Sequence, residues 1–154
     1  MPAIPGLRSP YTKVGRLVYF GRMLDKIRLH AAGRLPADYV ANLGDEGAPN
    51  FFDARCCRFL GVKYAELRAR TLAGGADEGI LAWAHAQGTA RTDEECEIWN
   101  MFMSKRGWRD AASEGVRQRA AQFGLADKSP QTMFEVLDYD EGRDPAAERP
   151  WEKL

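Results

Sequence analysis

Arg22, Asp25, Lys26 and His30 stand at near-helical spacing early in the chain, with Tyr19 one turn before them. Arg22 and Lys26 are four residues apart and share a helix face, and Asp25, three after Arg22, is placed to pair with it. On an exposed helix this is a solvated face with one ion pair, worth about 0.2–0.5 kcal/mol. On a helix packed on two sides the same charges must be paired or used. Guanidinium and ammonium groups complement a carboxylate or phosphate, so the cluster is a candidate anion site, with Asn100 as a further polar candidate. In a catalytic version, Asp25 or His30 serves as acid or base while Arg22 and Lys26 hold an anionic substrate.

Other chemistry has weaker support. The soft-ligand candidates His30, His85, Cys56, Cys57 and Cys96 form no Cys-x-x-Cys and no His-Glu-x-x-His, and Cys56 and Cys57 point about 100° apart on a helix, so no metal site is expected. Cys96 stands among Asp93, Glu94, Glu95 and Glu97, which disfavour its thiolate. There is no Gly-x-Ser-x-Gly elbow, no phosphate-binding loop and no dinucleotide fingerprint, so no cofactor is expected. Gly74-Gly75 reads as a turn between helices. The acidic run from Asp138 to Asp144 lacks the length and spacing of a calcium loop and reads as solvated surface.

The elements that must carry these residues are helices. Ser9-Pro10 has the form of a helix start, and Leu17, Phe20, Leu24, Ile27 and Ala31 make one apolar stripe with Val18 and Leu29 on another side. The spacing therefore predicts a first helix from about Ser9 to Ala32, stopped by Gly33 and packed on two faces. Residues 34–49 read as an irregular connection. Helices follow over Phe51–Leu60, capped by Asn50 and ended by Gly61; over Val62–Ala73, with Tyr64, Leu67 and Leu72 inward; and from Asp77 to Gly88. Thr92 and Glu95 form a capping box ahead of a helix carrying Cys96, Trp99, Phe102 and Met103 and ended by Gly107. Asp110–Phe123 and a last helix opened by Ser129-Pro130 complete about seven. Strand alternation is absent. The expectation is an all-α, single-domain, irregular bundle, with a core over residues 8–138 and a polar C-terminal tail over 139–154.

The chain has 154 residues, 45% hydrophobic, with 22 basic and 22 acidic side chains. That length supports a core without staples, and the charge balance argues against a nucleic-acid binder. The charge is uneven: residues 1–36 carry seven basic side chains and one acid, whereas residues 125–154 carry eight acids and four bases. The two ends are expected to attract one another, within one fold or across a dimer. Three cysteines and an N-terminus without a leader pattern point to a reducing cytoplasm, and no apolar stretch approaches the roughly 20 residues needed to span a bilayer.

The segments Arg8-Ser9-Pro10, Arg22-Met23-Leu24-Asp25-Lys26, Gly33, Trp99-Asn100 and Asp140-Glu141-Gly142-Arg143 together resemble a family of small bacterial proteins known as a domain of unknown function (family 5069). The likeness runs from about Leu7 to Arg143. It implies a compact bacterial, cytoplasmic protein and no particular activity. The sequence departs from the family pattern at Lys63, where an acidic helix cap is expected, so the start of the helix after it is open. Three readings stand: a binding module for a small anionic ligand or a protein partner, including a second copy of itself; a small enzyme built around the first helix; and a structural oligomer anchored by Trp108 and Trp151.

Overall fold

In a computed structural model that describes residues 3–152, the described residues form nine α-helices. They are α1 (Phe20–Ala31), α2 (Ala37–Val40), α3 (Phe52–Leu60), α4 (Tyr64–Leu72), α5 (Asp77–Gln87), α6 (Asp93–Lys105), α7 (Ser113–Gln122), α8 (Met133–Asp140) and α9 (Pro145–Glu148). No strand occurs among the described residues beyond one isolated bridge, Val14 to Leu17. The fold is all-α. The single-turn helices α2 and α9 fall in the segments read as connection and tail.

Local signals set most helix ends. Gly61 takes the left-handed conformation that stops α3. The Thr92 hydroxyl accepts from the Glu95 amide while the Glu95 carboxylate returns to the Thr92 amide, so α6 starts on its capping box. The cap absent at Lys63 comes from elsewhere: Asp45 Oδ2 accepts from the Tyr64 amide at 2.8 Å. The last long helix opens at Thr132, whose hydroxyl accepts from the Glu135 amide, and not at Ser129-Pro130. Asn50 is likewise displaced as a cap, since Phe51 precedes α3 without a side-chain hydrogen bond.

The main correction concerns α1. It begins at Phe20, and residues 9–19, expected to form its first turns, make an irregular strap. Ser9 does cap a turn, its hydroxyl accepting from the Tyr11 amide at 3.2 Å. The chain then leaves the helical path because α6 satisfies its backbone instead. Asn100 Oδ1 accepts from the Val18 amide at 3.0 Å, Asn100 Nδ2 donates to the Arg16 carbonyl at 2.6 Å, and Trp99 Nε1 donates to the Val18 carbonyl at 3.3 Å. With these groups paired, the strap needs no helical ladder.

Helix α1 is buried on nearly every side, from Phe20 through Ile27 and at Leu29, and packs on α4. It is the central helix that its two apolar faces predict. A Cβ at Gly21 would lie 2.9 Å from both the Arg8 guanidine carbon and a Val14 methyl, so only glycine admits the strap at this distance. Phe134 of α8 joins the layers edge-on, its ring centroid 5.1 Å from Tyr11 and 5.4 Å from Phe52. Two expected core residues face solvent instead: Leu72 and Phe102 are exposed. The run from Asp138 to Asp144 is not the solvated surface expected of it, since Asp138, Asp140 and Glu141 are buried. Asp138 accepts from the Ser9 hydroxyl of the strap at 2.9 Å and Glu141 pairs with Arg22, and both carboxylates are buried.

Candidate ligand-binding cleft

A cleft of ≈ 660 Å³ opens between α1, α3, α7 and α8, with α2 along one side. Tyr19, Arg22 and Lys26, all buried, close its inner end. Phe51, Phe52, Phe123, Met133 and Leu137 give it apolar walls. Arg55 of α3, Arg106 at the end of α6 and Arg119 of α7 line it as well and are only partly buried. Asp38 and Asp140 contribute carboxylates from α2 and α8.

Two ion pairs build the inner end. Arg22 donates from Nη1 to Glu141 Oε1 at 2.9 Å and from Nη2 to Oε2 at 2.6 Å, with a further bond from Nη1 to the Arg8 carbonyl at 2.9 Å. Burial by itself disfavours the Arg22 cation, but the Glu141 contact overrides it and holds the guanidinium pKa above its usual value. Burial likewise pushes the Glu141 carboxyl up, and Arg22 with Arg143 more than offsets this, leaving it below its usual value. Tyr39 donates to Glu141 Oε2 at 2.9 Å and Arg143 pairs with Oε1. Beside this pair, Lys26 Nζ lies 2.6 Å from Asp53 Oδ1 and donates to Tyr19 Oη at 2.9 Å. Tyr19 donates to the same Asp53 oxygen at 2.6 Å, and Asp53 Oδ2 accepts from the Gly44 amide at 3.1 Å. Burial lowers the Lys26 pKa against the opposing pull of Asp53.

The outer arginines are differently placed. Arg55 and Arg119 form no ion pair among the described residues, and Arg106 has only Asp110 at 3.5 Å. Arg55 and Arg106 lie over the ring of Phe102, at 5.3 and 5.7 Å from its centroid, while Arg119 lies 5.7 Å from that of Phe123. Burial first, and then the repulsion of Arg106 and Arg58, lowers the Arg55 pKa.

Of the five residues singled out from the sequence, Arg22 and Lys26 line the cleft and the other three do not. Asp25 does not pair with Arg22. It accepts from Arg8 Nε at 2.8 Å, and Asp77 ties Arg8 to Arg28 at 2.6 and 2.5 Å. His30 is exposed, and Asn100 holds the strap. Asp25, His30 and Asn100 therefore do not converge on one point. Asp53, Tyr39 and the three outer arginines carried no motif of their own. Glu141 had two signals, its place in the segment Asp140-Glu141-Gly142-Arg143 that carries the family resemblance and the opposite charge of the two chain ends.

The fold and this cleft define a small all-α protein with a cationic, aromatic-lined cavity beside its central helix. Residues 4–143 match the family described as Domain of unknown function (DUF5069), and the chain belongs to it. Comparison with curated proteins and with solved structures gives no match.

Proposed function

We propose that the protein binds a small organic anion with an apolar or aromatic portion in this cleft. The observation that carries the reading is the set of three arginines, two of them without a carboxylate partner among the described residues, facing one cavity with phenyl walls. Guanidinium groups offer paired N–H donors to a carboxylate or phosphate, and the rings bury the rest of the molecule. Asp38 suits a hydroxyl or amine donor on the same ligand. Arg22 and Lys26 are already matched to Glu141 and Asp53, so they form the inner wall and the outer arginines take the charge.

The test is a thermal-shift screen of carboxylated and phosphorylated small molecules against wild type and Arg55→Ala/Arg119→Ala. A true ligand at 100 times its dissociation constant adds about 2.7 kcal/mol of stability, and the gain disappears in the variant. Equal stabilisation of both proteins contradicts the reading.

Self-association through α6 is a second reading, favoured by one observation: Ile98 and Met101 stand 62% and 51% exposed beside the exposed Phe102 and Trp108. Sedimentation of wild type and Ile98→Glu checks it, and a monomer in both cases removes it. The three buried free thiols support a reducing bacterial cytoplasm as the working compartment, which fractionation of a host cell would test.

A further inference from the structure

We propose that Lys26 is the nucleophile of the cleft and forms an iminium with the carbonyl of an anionic ligand, an aldehyde or 2-oxo acid whose acidic group sits on the outer arginines. The proposal rests on the anion-binding reading of the same cleft.

Lys26 is buried yet lines the cavity, and its Nζ is fixed by Asp53 Oδ1 at 2.6 Å and Tyr19 Oη at 2.9 Å. An ammonium has three N–H groups, and the third has no acceptor among the described residues. Tyr19 reaches this position through an unusual backbone. Its φ of 71° lies in the region that a bulky residue avoids, and the Phe20 amide donates to the Val18 carbonyl at 2.9 Å, closing a strained three-residue turn. The strain falls where it brings the phenol between Lys26 and Asp53. Burial favours the neutral amine over the ammonium, against the opposing pull of Asp53, and leaves the Lys26 pKa lowered.

The step conserves charge. The lysine ammonium and the ligand carbonyl become an iminium and one water: the N–C bond forms, the C–O bonds break, and the oxygen leaves with two protons from Nζ. Nothing is oxidised or reduced. The attacking species is the neutral amine, so one Nζ proton passes first to Asp53, leaving a neutral pair, and Asp53 returns it to the departing oxygen as the iminium cation forms. Tyr19 Oη, in contact with both groups, relays a proton from nitrogen to the departing oxygen.

The test uses the full chain at neutral pH with glyoxylate as probe and cyanoborohydride to reduce any iminium, followed by peptide mapping. Lys26 is expected to be labelled more strongly than exposed Lys63, because burial favours its neutral amine. Inorganic phosphate should suppress that labelling, and Tyr19→Phe should slow it while leaving Lys63 unchanged. Labelling of Lys26 no greater than that of Lys63, in protein that phosphate or glyoxylate still stabilises, overturns the iminium and leaves the anion cleft standing. No labelling together with no stabilisation by any anion removes both.

Discussion

Arg22 and Glu141, 119 residues apart in the chain, meet in a two-pronged, fully buried ion pair that ties α1 to the end of α8. This contact joins the basic N-terminal region to the acidic C-terminal one within a single chain. A buried pair is matched geometrically and gains little over apolar packing, but loss of one partner strands the other charge. Arg22→Met therefore leaves Glu141 with Arg143 and Tyr39 only, and should cost about 3–5 kcal/mol in a urea titration. The double variant Arg22→Met/Glu141→Leu should cost clearly less than the two single losses combined. Simple additivity would mean that the pair is not coupled.

Asp138 gives the fold a specific dependence on pH. Burial pushes its carboxyl up from 3.8 to about 7, opposed by the Ser9 hydroxyl at 2.9 Å and by Arg143. A raised carboxyl binds its proton more tightly in the folded chain than in the unfolded one. Its stabilising effect is thus present below about pH 4 and is lost as pH rises toward 7, by up to about 1.4 kcal/mol per pH unit. Asp138→Asn does not titrate, so its stability relative to wild type should rise between pH 4 and pH 8. A difference that stays constant over that range would contradict the assignment.

Asn100 holds the strap by its two amide atoms, at Val18 and Arg16. Asn100→Ala leaves a buried amide without its acceptor, at a cost of about 1–3 kcal/mol. The Val18 amide should lose hydrogen-exchange protection selectively. Unchanged protection there would show that the strap is held by other contacts.

Asp45 supplies the N-terminal cap of α4 from a distant loop. Asp45→Ala should destabilise the protein by about 1 kcal/mol, as cap removals do. Asp45→Asn, which keeps an acceptor oxygen, should recover most of that loss when the two are compared by chemical denaturation.

What the sequence revealed follows the range of the forces involved. The stop at Gly61 and the capping box of Thr92 and Glu95 act over three or four residues, so their patterns were readable and the structure contains both. The start of α1 was misread because Ser9 and Pro10 carry a real local turn signal, whereas the decision belongs to Asn100, 82 residues from Val18. The same division runs through the cleft. Helical spacing brought out Arg22 and Lys26, but their partners Glu141 and Asp53 come from other elements. Asp25 shows the limit of spacing: three residues from Arg22, it turns instead to Arg8 in the strap. Arg55, Arg106 and Arg119 lie on three separate elements, and nothing local marks their convergence.

The central claim, an anion held by those three arginines, is tested most directly by a crystal structure of the protein soaked in selenate, located by its anomalous signal. The cleft predicts an ion within hydrogen-bond distance of the Arg55, Arg106 or Arg119 guanidinium groups, displaced by any ligand from the thermal-shift screen. Selenate bound only at exposed arginines outside the cleft, such as Arg16 and Arg117, would contradict it.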